Sequence, residues 1–85
     1  MYIHLGNNTV VNVNDVVAII DIDNTTTSKN TRDFLAKAQN EGQVINVSDE
    51  LPKSAVICRY KDETKVYISQ ISPITLQGRY NKGIL

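Results

Sequence analysis

Val16-Val17-Ala18-Ile19-Ile20-Asp21-Ile22 is a nearly unbroken apolar run of strand length, and the way it is covered decides the fold. A run with so little alternation is expected to be buried on both faces, which makes it the central strand of a sheet. Downstream, the polar stretch Asp23 to Thr27 leads into a helix with Thr27 or Ser28 as N-cap and Thr31, Phe34, Leu35 and Ala38 as its apolar stripe. Gly42 ends that helix, because glycine enters the left-handed conformation without a Cβ clash. Upstream, Met1 to Leu5 and Thr9 to Val13 form a hairpin around Gly6-Asn7-Asn8, and Asn14-Asp15 makes a second turn.

The second half continues in strands. Gln43 to Val47 is a short one, and Ser54 to Tyr60 pairs with Thr64 to Gln70 across Lys61-Asp62-Glu63. Pro52 and Pro73 bracket the pair, outside its ladder, since proline has no amide proton to donate. Gly78 to Leu85 reads as a loose tail. The expected architecture is a single α+β domain over residues 1–85, an antiparallel sheet of five or six strands with one helix across it.

A chain of 85 residues buries roughly 60% of its unfolded surface, too little to wrap a large catalytic cleft. With one Phe and no Trp, aliphatic residues must supply the core, and a core this small favours a partner. The net charge of zero argues against a strong uniform field for nucleic acid, but it hides a division. Residues 1–50 carry three basic and seven acidic groups, a net of −4, whereas residues 51–85 carry six basic and two acidic groups, a net of +4. No secretion signal or bilayer-length apolar segment is visible, so a cytoplasmic protein without membrane contact is expected. Cys58, the single cysteine, lies in an apolar run and is expected to be a buried thiol.

Catalytic patterns are weak. The strand ending in Asp21-Ile22-Asp23-Asn24-Thr25 is similar to the first motif of haloacid-dehalogenase phosphatases, in which one Asp attacks phosphorus and the next serves as acid and base. The chain offers no doubly wound domain, later lysine or further acidic pair to complete such a site. The two carboxylates are therefore expected in a solvated strand-to-helix loop, Asp23 favouring the helix start. His4 is the only histidine, so metal sites and nucleophilic triads involving Ser48 or Ser54 lack partners. No enzyme, metal or cofactor is expected.

What remains is the basic set of the second half. Lys53 stands before a strand, Arg59, Lys61 and Lys65 gather at one hairpin tip, and Arg79 and Lys82 follow the last apolar block, with Tyr60, Tyr67 and Tyr80 among them. A solvated turn and a set of phosphate contacts are both compatible with this pattern.

Together with Met1-Tyr2-Ile3-His4-Leu5-Gly6, the blocks Val16 to Asp21, Thr31 to Ala38 and Leu51 to Ile57 resemble the extracellular matrix regulatory proteins of the RemA/RemB family, and RemB in particular, from Met1 to about Tyr80. The resemblance implies a DNA-binding regulator of biofilm matrix genes that assembles into closed rings, with basic residues of neighbouring subunits facing the duplex. This chain departs from that pattern: the basic position before the apolar strand falls on Asp15, and the paired arginines ahead of the hairpin fall on Leu51 and Pro52. Lys53 and Arg79, in Pro73-Ile74-Thr75-Leu76-Gln77-Gly78-Arg79, keep a basic residue at or near a matching place. The expected DNA contacts are Lys53 and Arg79, then Arg59, Lys61 and Lys65. The expected partners are other copies of the chain, double-stranded DNA, or a basic paralogue if the DNA site has been lost.

Overall fold

The computed structural model describes residues 1–23 and 28–82. Tyr2–Gly6 (β1) and Thr9–Asn12 (β2) form the first hairpin, which turns through Gly6 and Asn7, both at positive φ. One 3₁₀ turn, Val13–Asp15, is opened by Asn12, whose side chain accepts the Asn14 N–H. Val16–Asp21 (β3) follows, then Lys29–Asn40 (α1), Val44–Asn46 (β4), Ser54–Tyr60 (β5), Glu63–Ser69 (β6) and Pro73–Lys82 (α2).

Both caps of α1 follow from its sequence. Ser28 is the N-cap, its hydroxyl accepting the Thr31 N–H at 3.2 Å, while Thr27 lies outside the described residues. At the other end Gly42 takes φ 72°, and the N–H groups of Gly42 and Gln43 reach back to the carbonyls of Gln39 and Ala38, a Schellman closure.

The expected single antiparallel sheet is two sheets. β1 and β2 pair with each other alone, and the other four strands take the order β3-β5-β6-β4. β4 runs parallel to β6. The reason is α1, which carries the chain from β3 at one edge to β4 at the other, so that β4 sets off in the direction of β3.

β3 is thus an edge strand, and the strands with neighbours on both sides are β5 and β6. An apolar run reports burial without saying which strand is central, and β3 contains a bulge that disguises its phase. Val16 pairs with Cys58 and Ala18 with Ile57, so Val17 is extra and 65% exposed. Val16 and Ile19 consequently face one core, while Ile20 and Ile22 face the other.

The first core gathers Ile3, Leu5 and Val11 of the hairpin, Val56 and Cys58 of β5, and Leu76 of α2. The second is smaller: Ala38 of α1 on Ala55 and Val66, bordered by half-buried Leu35, Ile57 and Ile68.

The second helix was not expected, since Gly78 and a polar sequence masked it. Its readable signal is Ser72-Pro73: Ser72 Oγ accepts the Thr75 N–H, and proline at the first helical position loses no hydrogen bond. Leu76 is fully buried and Tyr80 packs beside the same core, so residues 78–82 are helix and not tail.

Two buried serines lock the chain reversal before this helix. Ser54 and Ser69 stand opposite each other on β5 and β6, and both are fully buried. Ser54 Oγ donates to the Ile71 carbonyl at 2.9 Å, and Ser69 Oγ accepts the Ile71 N–H at 3.0 Å. The Ser69 hydroxyl also donates to the Leu5 carbonyl at 2.7 Å, binding the hairpin to the main sheet. Replacing Ser69 with alanine leaves a buried carbonyl and a partly buried N–H without partners, so Ser69→Ala should lower stability by about 1–3 kcal/mol. Because Ser54 holds the same residue, Ile71, through its carbonyl, the Ser54→Ala, Ser69→Ala double variant should lose less than the sum of the singles, as measured by urea unfolding.

Candidate nucleic-acid interface and adjoining cleft

Arg59, Lys61 and Lys65 meet because β5 and β6 reverse through a two-residue turn. Lys61 and Asp62 have φ 48° and 64°, the left-handed pair of a hairpin turn whose twist matches its strands. Neither residue is glycine, so this tip holds a conformation that costs L-residues about 1–2 kcal/mol each. Arg59 Nη1 donates to Thr64 Oγ1 at 3.3 Å, and its Nη2 lies 3.6 Å from Asp62 Oδ1. Lys65 Nζ stands 3.8 Å from Glu63 Oε1, and Lys61 Nζ lies 5.3 Å from the Tyr60 ring centroid.

Three cations thus face two carboxylates. All the pairs are exposed, and exposed ion pairs contribute about 0–1 kcal/mol, so these side chains are free to exchange one anion for another.

Lys53 sits at the other end of β5. Its backbone is held on both sides, Lys53 N–H to the Ser69 carbonyl at 2.9 Å and the Ile22 N–H to the Lys53 carbonyl at 3.1 Å, while its side chain is exposed. The length of β5 separates it from the hairpin tip by roughly 20 Å.

Arg79 has a structural bond. From α2 its Nη1 donates to the His4 carbonyl at 2.7 Å, so the guanidinium fastens the helix to β1. The five expected contacts therefore occupy three places within one subunit: the tip, the start of β5 and the α2–β1 seam.

Above the first core, between β2 and the tip-proximal half of β5–β6, lies a cleft of about 390 Å³. Cys58 and Val11 form its floor, with Asp15, Glu63 and Lys65 among its charged side chains. Burial pushes the Cys58 thiol up to about 11 from an ordinary 9.0, and the Asp15 charge adds to the rise. No sequence motif announced this cleft, because its walls come from separate hairpins.

The other candidates have local roles. Asp21 Oδ1 accepts the Asp23 N–H at 3.0 Å, while Asn24 and Thr25 of the phosphatase-like stretch lie outside the described residues. Half-buried His4 sits with Nε2 at 2.8 Å from the Asn7 carbonyl. Among the described residues, no three His, Cys, Asp or Glu side chains are grouped to hold a metal, and no helix is long and apolar enough to cross a membrane.

A family model described as RemA-like, extracellular matrix regulatory protein A-like, matches residues 2–80. The chain belongs to the RemA-like family. A search of curated proteins finds no match. The family match spans every strand and most of α2, and by family the chain is a matrix regulatory protein.

The Cys58 environment makes stability depend on pH. The folded thiol holds its proton up to about 11, whereas an ordinary thiol releases it near 9.0. The stabilisation is complete below the lower value and is lost as pH rises through the higher one. Urea midpoints should accordingly fall between pH 9 and 11 in the native chain, and Cys58→Ala should flatten this part of the profile.

Proposed function

We propose that this RemA-like chain is a non-enzymatic, RemB-like regulator of extracellular matrix and biofilm genes, associated with DNA in the cytoplasm and acting as a ring of identical subunits. The observation that carries the reading is the cluster of Arg59, Lys61 and Lys65 on an exposed hairpin tip, in a chain matched to this family over residues 2–80. Each subunit of a ring would present one such tip, and linked weak contacts gain through effective concentration.

Incomplete covering of apolar surface supports assembly. Val17 projects from the β3 edge, Ile74 on α2 is 86% exposed, and Phe34 and Ile45 are also exposed. The charge division along the chain suits a head-to-tail contact, and such contacts close into rings when the rotation permits.

The phosphate contacts assigned are the three tip residues and Lys53. Arg79, engaged with His4, is assigned mainly to the α2–β1 seam. That engagement, with Asp15, Leu51 and Pro52 at family positions expected to be basic, favours a second reading: an interaction ring that has lost DNA binding and pairs with a basic paralogue.

Fluorescence anisotropy with a labelled random duplex, at low and physiological salt, separates the two. The regulator reading expects saturable binding that weakens steeply with salt, and Arg59→Ala, Lys61→Ala, Lys65→Ala should lower the slope by about one per phosphate contact removed. Arg79→Ala should chiefly lower the melting temperature. Absence of binding at low salt, in a sample that light scattering shows to be oligomeric, would select the second reading. A monomer at micromolar concentration would overturn the ring.

A further inference from the structure

The cleft above the first core takes no part in the Ser69 and Arg79 seams that hold the fold. Its volume of about 390 Å³ falls within the range that holds small ligands, roughly 300–1,000 Å³. Tyr2, Tyr60 and Tyr67 line it from three different strands. Tyr2 and Tyr60 are 50% and 59% exposed, which leaves ring surface open to an occupant, while the floor residues Val11 and Cys58 are buried.

The charges are unequal. Lys65 is drawn towards Glu63, whereas Asp15 has no ion pair among the described residues. Its negative field reaches the floor, where it helps to keep the Cys58 thiol protonated. One of the rings already receives a cation, since Lys61 Nζ lies over Tyr60.

We propose that this cleft binds a small organic cation, a compact aliphatic or methylated ammonium group held among Tyr2, Tyr60 and Tyr67 with its charge towards Asp15. The electron-rich ring faces attract a cation through their quadrupoles, and the attraction grows as the site is desolvated. An anion would meet Asp15 and Glu63 against the single cation Lys65, which Glu63 already pairs. A neutral ligand of the same shape would gain burial alone. The site adjoins the proposed phosphate contacts, since Lys65 lines it and Lys61 lies over Tyr60, but the contacts to the cation need no phosphate.

The test uses the full-length, isotope-labelled chain at constant ionic strength, with choline chloride as probe and 3,3-dimethyl-1-butanol as its uncharged isostere. Choline should shift the amide signals of Tyr2, Val11, Cys58 and Tyr67 saturably, with the isostere about tenfold weaker. Asp15→Asn should weaken choline several-fold and narrow, without closing, its lead over the isostere, because the rings still favour a cation. Tyr60→Leu, at an exposed ring, should weaken choline several-fold and the isostere little. Equal affinity for the two probes, no saturable shift with choline, or unchanged choline affinity in both variants would overturn the proposal.

Discussion

The hydroxyl of Ser69 is the junction on which the other contacts between layers depend. The two-stranded hairpin shares no ladder with the main sheet, so something besides strand pairing must set its position. Ser69 does this by donating to the Leu5 carbonyl while accepting the Ile71 N–H. Its cross-strand partner Ser54 takes the Ile71 carbonyl, so both polar groups of Ile71 are satisfied. A buried backbone group without a partner is costly, which makes this arrangement restrictive: the chain can leave β6 in one way. Ser72 then caps α2, and Leu76 and Arg79 are carried to the first core and to His4.

That junction also divides the basic residues by role. Arg79 lies on the helix whose place it secures, so its charge is tied to a carbonyl. The tip cations lie at the far end of the β5–β6 hairpin, where a turn at positive φ presents them to solvent. The proposed cation site lies beside that tip and shares Glu63 and Lys65 with it. The sheet's two faces differ in the same spirit. One carries the hairpin and α2, the other only the small residue Ala38 and its neighbours, and Phe34 and Ile45 remain exposed.

Local chemistry made much of the fold legible. Gly6-Asn7, Ser28, Gly42 and the β-rich runs on either side of Lys61-Asp62 each specify a turn, a cap or a strand within a few residues, and the structure has them there. Ser72-Pro73 was an equally local signal for α2, obscured by Gly78 in the helix. Legibility ended at order and side. The bulge at Val17 changes which residues face which core, and hydrophobicity alone does not distinguish an edge from a centre.

The sequence by itself determined the elements other than α2, the family resemblance later matched by the family model, and the segregation of charge, because propensity, capping and composition act over short range. Tertiary structure decided that β5 is central, that β4 runs parallel, that Arg79 is engaged, and that three tyrosines from separate strands share a cleft with Asp15. These are contacts between residues far apart in the chain, selected by how buried polar groups find partners and how apolar faces are covered, and neither is encoded in any single stretch.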